Sequence, residues 1–145
     1  MIKRLKNLGA DSVDLVDIYQ KQIRSILEFG TPVWNSSITQ AEVVDIERTQ
    51  KSFCKIVLGE NYLSYKHAMK TLGLESLESR REGLSLRFAL KAEKHKKFKH
   101  WFQPSHKSTV TRQKPKKYAP VYFKHDRFEK SPLSYLTNLL NEFYH

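Results

Sequence analysis

The residues best suited to chemistry lie between Lys91 and Phe102, where Lys91, Lys94, Lys96, Lys97 and Lys99 are interleaved with Phe98, Trp101 and Phe102. Lysines neutralise phosphates and flat rings stack on bases, so this mixture points to contact with a nucleic-acid backbone. The structural alternative is a solvated helix end whose rings dock onto the last helix. Arg80 and Arg81 stand in the first turns of the helical pattern leading into this stretch, with Arg87 two turns after Arg80. A guanidinium there serves either a phosphate or a surface carboxylate such as Glu78 or Glu82. The candidate nucleic-acid-binding residues are therefore Arg80, Arg81, Arg87, Lys94, Lys96, Lys97, Lys99 and Trp101.

Other constellations read as structural. Asp11, Asp14 and Asp17 share a helix face but fall in its first turns, where acids suit the dipole. His95, His100 and His106 are five and six apart, with no Cys-x-x-Cys or His-x-x-x-His pair of the kind zinc uses. Cys54 follows Phe53 in an apolar helical setting with no base nearby in the pattern, so it reads as a small buried hydrophobe. The five glycines mark helix ends or stand alone, which leaves no phosphate-cradling loop. The sequence therefore implies no catalytic residue, no metal and no cofactor.

Charge separates the chain more sharply than any motif. Residues 1–90 hold 13 basic and 11 acidic side chains and residues 91–145 hold 13 and 4, so the net +11 divides into +2 and +9. A basic C-terminal third favours polyanions, nucleic acid first. The single cysteine excludes an internal disulfide and fits a reducing compartment. No run of 18 apolar residues exists, and Met-Ile-Lys-Arg-Leu-Lys lacks the apolar centre of a signal peptide. The expectation is an intracellular protein of the nucleus or cytoplasm, with no membrane role.

The elements that must position the lysines are all helical. Leu15, Ile18, Tyr19, Ile23, Ile26 and Leu27 recur at gaps of three and four, predicting a first helix over about 12–29 that Gly30 closes and Pro32 keeps from restarting. Val33-Trp34 then folds back, with Trp34 expected between the first two helices. Thr39-x-x-Glu42 is a capping box for a second helix, 40–58, with Val43, Ile46, Phe53, Ile56 and Val57 inward and Gln50 interrupting that side. Ser64 caps a short helix over 65–72, and Gly73 ends it. Ser76 caps a fourth reaching toward Phe98, with Leu77, Leu84, Leu86, Phe88, Ala89 and Leu90 apolar. Residues 103–130, with Pro104, Pro115, Pro120 and the basic run from Lys107 to Lys117, read as extended or mobile. Ser131-Pro132 starts a last helix, 132–143, carrying Leu133, Leu136, Leu139, Leu140 and Phe143. The fold class is all-α: a small bundle of about four helices in a thumb-like domain 1–102, a basic segment 103–130, and a C-terminal helix within 131–145.

Four features in this order resemble a known family. They are Tyr19…Ile26-Leu27-Glu28-Phe29-Gly30-x-x-Val33-Trp34; Ile46-Glu47-Arg48-x-Gln50-Lys51…Leu58-Gly59; Ser64-Tyr65-x-x-Ala68-x-x-x-Leu72-Gly73-Leu74-x-Ser76-Leu77; and Arg80-Arg81. The series resembles the thumb and post-thumb region of non-long-terminal-repeat retrotransposon reverse transcriptases of the jockey-like kind. Arg127-x-x-x-Ser131-Pro132-Leu133-x-Tyr135-Leu136-Thr137-x-Leu139-Leu140-Asn141 is similar to the closing segment of many such polyproteins. The likeness implies an upstream palm domain as partner and a role in holding RNA or DNA. The family's polymerase chemistry needs paired carboxylates on two metals, typically at a Tyr/Phe-x-Asp-Asp turn. No Asp-Asp pair is present, so the expectation is a non-catalytic fragment of an RNA-directed DNA polymerase, beginning at a truncated or degenerate reading frame. The competing class is a helical protein-interaction module in which Trp34, Trp101 and the last helix form a partner patch.

Overall fold

Cap chemistry written into the chain decides where its helices begin. In the computed structural model, which describes residues 1–105, 116–121 and 130–144, Asp11 accepts the Ser12 amide, Ser64 that of His67, and Ser131 that of Ser134. The Thr39–Glu42 capping box is complete in both directions. The α-helices are α1 (Ile2–Asn7), α2 (Ser12–Ile18), α3 (Ser25–Leu27), α4 (Thr31–Trp34), α5 (Gln40–Leu58), α6 (Tyr65–Leu72), α7 (Leu77–Lys94) and α8 (Pro132–Phe143). A π-helical stretch, Tyr19–Arg24, joins α2 to α3. No strand occurs among the described residues; the closest approach to one is an isolated antiparallel bridge between Pro104 and Tyr118. The all-α expectation is met, with more and shorter helices than the periodicity predicts.

Residues 1–102 are divided between two compact units. The first comprises Met1–Phe29 and Thr39–Arg80, the second Gly30–Ile38 and Arg81–His145. In the first unit Leu15, Tyr19, Phe53, Cys54, Val57, Ala68 and Leu74 form the core. Tyr19 lies flat on Phe53, with ring centroids 4.1 Å apart and planes 15° from parallel. Gln50 does not interrupt this side; it organises it. It is fully buried, accepts from the Tyr19 hydroxyl at 2.9 Å, and donates to the Tyr65 hydroxyl and the Glu75 carbonyl, both at 2.8 Å. A buried amide is tolerated because its hydrogen-bonding groups are occupied. Lys6 closes the far end of α5, donating to the Ile56 and Val57 carbonyls at 2.8 and 2.9 Å, where a cation also suits the dipole. Burial pushes the Cys54 thiol up to about 11, as befits a packing residue.

Several expectations need correction. The first helix is not a uniform α-helix: the π stretch inserts an extra residue per turn and rotates the turn after it, leaving Ile26 75 % exposed. Gly30 does take a left-handed conformation, φ 65°, but Pro32 does not prevent a restart; it sits in the first turn of α4, where a missing N–H costs nothing. Trp34 is not enclosed between the first two helices. It is half-buried, belongs to the second unit, and rides on α4, which packs against α8.

In the second unit Ala89, Ala92, Phe102, Tyr118, Leu136 and Leu140 form the core. The buried positions along α7 are Leu77, Arg81, Ser85, Ala89 and Ala92, while Leu84, Leu86, Phe88 and Leu90 are only half-buried. The small residues allow close packing that leucines would block. The helix also ends at Lys94, short of Phe98, because burying Phe102 against Tyr118 turns the chain out of the helical path. α8 matches its expected bounds, yet its inward positions include Ser134, Thr137 and Asn141, and Phe143 is 54 % exposed. Asn141 accepts from the Tyr118 amide at 2.9 Å and donates to its carbonyl at 3.1 Å, so it acts as a one-residue strand partner. The expectation of an extended stretch over 103–130 falls largely outside the described residues, as does His106.

Candidate nucleic-acid interface

Beyond α7 the chain makes a turn, in which the Lys97 amide donates to His95 Nδ1 at 3.2 Å, and then a 3-10 turn, Lys99–Trp101. Phe98 packs on Trp101, centroids 4.8 Å apart, and both lie against the second core from its edge. The rings are thus held from one side while Lys94, Lys96, Lys97 and Lys99 stay exposed. None of these four has a carboxylate within ion-pair distance among the described residues. Trp101 is half-buried, so only part of its face is open for stacking.

The one acid that lines this region among the described residues, Glu93, is already engaged. It accepts from Lys117 Nζ at 2.8 Å, from the Tyr118 hydroxyl, and from the Tyr144 hydroxyl at 2.8 Å. Burial opposes its ionisation, but the hydrogen bonds from Lys117, Tyr118 and Tyr144 together hold the carboxyl below the ordinary range. Lys117 is held above the ordinary lysine range, first by its hydrogen bond to Glu93; its ammonium also sits 3.4 Å from the Tyr144 ring centroid and 5.3 Å from that of Tyr118. Tyr118 is pushed up to about 12, by burial and then by its bond to Glu93. A cleft of 320 Å³ opens beside this cluster, lined by Lys94, Lys99, Lys117, Phe102, Pro104 and Tyr118 together with Glu93. Lys94 and Lys99 leave two unpaired ammonium groups at this concavity that can meet a phosphate, whereas Lys117 is held by Glu93 and the Phe102 and Tyr118 rings are buried in the core.

The arginines divide. Arg80 belongs to the first unit and forks onto Glu28, with Glu75 at 3.9 Å, and its side chain is only 21 % exposed. Arg81 was expected at the surface but is 1 % exposed; its Nε donates to Asn35 Oδ1 at 3.1 Å, and Asn35 donates in turn to the Tyr135 hydroxyl. A guanidinium enclosed in this way does not meet a phosphate. Arg87 is exposed, with its Nε on the Gly83 carbonyl at 3.3 Å. The structure therefore gathers Lys94, Lys96, Lys97, Lys99 and Trp101, leaves Arg87 available, and commits Arg80 and Arg81 to structure. Sequence reasoning missed Lys117, Tyr118 and Glu93 as members of the cleft and Tyr144 as a partner of Glu93. No local pattern connects them; the backbone bonds Ser105 N–H to Lys117 O and Ala119 N–H to Gln103 O bring them in.

Among the described residues no three His, Cys, Asp or Glu side chains group as metal ligands, and no helix is long and apolar enough to cross a membrane. The chain matches no family model, no curated protein and no solved structure.

Proposed function

We propose that these residues form a non-catalytic, nucleic-acid-binding region of a retrotransposon RNA-directed DNA polymerase, gripping RNA or DNA by its backbone through the basic C-terminal third. The observation that carries this reading is the exposed run Lys94, Lys96, Lys97 and Lys99, unpaired with carboxylates among the described residues, of which Lys94 and Lys99 also line a cleft. Free ammonium groups have condensed counterions to displace from a phosphate chain; lysines already in ion pairs have less to gain. The ordered motifs that resemble those of reverse-transcriptase thumbs support the polymerase context, and the absence of an Asp-Asp pair supports the non-catalytic part.

A salt titration of binding to labelled single-stranded and duplex oligonucleotides tests it. Replacing Lys94, Lys96, Lys97 and Lys99 with Gln should lower the log–log salt slope by about 3, since each phosphate contact contributes about 0.7–0.9. Both ligands should weaken alike, because backbone contacts carry no sequence information. An unchanged slope would remove the lysine run from the interface. Nucleotide incorporation on a primed template with magnesium, in a preparation free of host polymerase, would overturn the non-catalytic part.

A further inference from the structure

The segment Gly30–Ile38 belongs to the second unit, although the chain on both sides of it belongs to the first or leads directly into it. Its helix, α4, is four residues long, too short to hold its shape alone, and persists through what it packs on. Asn35 ties the segment down at two points. Its Oδ1 accepts from Arg81 Nε on α7 at 3.1 Å, and its Nδ2 donates to the Tyr135 hydroxyl on α8 at 2.9 Å. The tie helps to seal in Arg81, which is 1 % exposed.

This seam is poorly satisfied. Among the described residues, the enclosed side-chain nitrogens and oxygens without a hydrogen-bond partner are Ser36 Oγ, Arg81 Nη1 and Ser85 Oγ. All three belong to the seam. Ser36 follows Asn35 in the chain. Ser85, one turn after Arg81 on the buried face of α7, neighbours the Tyr135 hydroxyl without meeting hydrogen-bond geometry. No carboxylate lies within ion-pair distance of Arg81 among the described residues. A buried charge with no counter-charge, and polar atoms with no partners, favour any conformation that returns them to water or gives them an anion. Lifting the segment off α7 does both.

We propose that Gly30–Ile38 is a strap that opens when nucleic acid binds and delivers Arg81 to a phosphate. The strap rests on the nucleic-acid reading and adds to it a cation that the closed form withholds. Arg81 and Lys94 are thirteen residues apart on α7, with exposed Arg87 between them. At 1.5 Å per residue that is about 20 Å, which a strand of about six nucleotides spans at 3.4 Å each. A chain whose competent form is the minor one binds with an affinity reduced by that fraction, so the closed strap restrains binding and the phosphate chain shifts the balance.

The test measures hydrogen exchange of the whole chain with and without a labelled single-stranded oligonucleotide, together with the affinity and its salt slope. In the parent chain, exchange at residues 31–37 should rise when the oligonucleotide is added. Asn35→Ala removes both ties; it should speed exchange of the free strap and tighten oligonucleotide binding at least about threefold, with circular dichroism unchanged. Asn35→Asp keeps the shape and supplies Arg81 with a counter-charge, so it should slow strap exchange and weaken binding. Arg81→Gln keeps a nitrogen where Nε donates to Asn35 but carries no charge. It should abolish the oligonucleotide-driven rise in exchange, lower the log–log salt slope by about 0.7–0.9, and cancel the tightening when combined with Asn35→Ala. An Arg81 with a purely structural role gives a different pattern: Asn35→Ala binds no more tightly and Arg81→Gln leaves the slope unchanged. Either result overturns the proposal, as does strap exchange that is unchanged or slowed by the oligonucleotide, or strap exchange that Asn35→Asp fails to slow. A slope lowered by the Lys94, Lys96, Lys97 and Lys99 replacements but not by Arg81→Gln removes the strap and keeps the nucleic-acid reading. No oligonucleotide binding by the parent chain removes both.

Discussion

Gln50→Leu isolates the polar centre of the first unit. The side chains are similar in volume, so no cavity opens. What is lost is the acceptor for the Tyr19 hydroxyl and the donor for the Glu75 carbonyl; the Tyr65 hydroxyl keeps its bond to Glu47. Tyr19 is fully buried and finds no water to replace Gln50. Each of the two stranded groups costs about 1–3 kcal/mol, and the better burial of leucine recovers about 1 kcal/mol, for a net loss of about 1–5 kcal/mol. Cys54, the only cysteine, is fully buried in the same core, so its reaction rate with a disulfide reagent reads the opening of the first unit alone. The rate should rise roughly 5- to 4,000-fold. Adding Tyr19→Phe should recover about 1–2 kcal/mol, since it removes the stranded hydroxyl, and this coupling excludes a mere packing effect. A rise below about threefold, or no recovery in the double variant, would refute the view that Gln50 organises the core.

Both tryptophans, Trp34 and Trp101, belong to the second unit, and their fluorescence reports its unfolding in urea. Glu93→Gln should cost about 1–2 kcal/mol there, discounted because Lys117 is 43 % exposed. The same carboxylate sets an acid limit: held below the ordinary range when folded, it contributes fully above about pH 4.3 and its contribution disappears as pH falls through the depressed value, a loss Glu93→Gln should abolish. Lys117 gives the converse limit, contributing below about pH 10.4 and failing as pH rises past it, which Lys117→Gln should remove. Trp34→Ala should cost about 1–2 kcal/mol, against the 3–5 kcal/mol of an enclosed tryptophan, read by Trp101 fluorescence. Gly73→Ala should cost the first unit about 1 kcal/mol, because φ is 63° although a Cβ meets open space.

What could be read from residues alone was local. Thr39 with Glu42, Ser64, Ser131-Pro132, and the glycines at 30, 59 and 73 predict helix starts and stops because a cap acts within three or four residues of itself. The bounds of α5, α6 and α8 came from these caps, as did the all-helical class. The lysine run was legible too, since charge needs no partner to be counted. Inward faces were not. Periodicity finds the apolar stripe of a straight helix, but the π stretch at Tyr19–Arg24 turned Ile26 outward. On α7 close packing selected Ser85 and Ala89 over the larger side chains around them, and Arg81 turned inward to Asn35. The uses of Gln50, Arg80, Arg81 and Glu93 depended on partners 15 to 52 residues away in the chain. Whether a polar side chain is a hub, an ion pair or a free ligand is settled by what folding brings within about 3 Å of it, and that distance has no counterpart in sequence spacing.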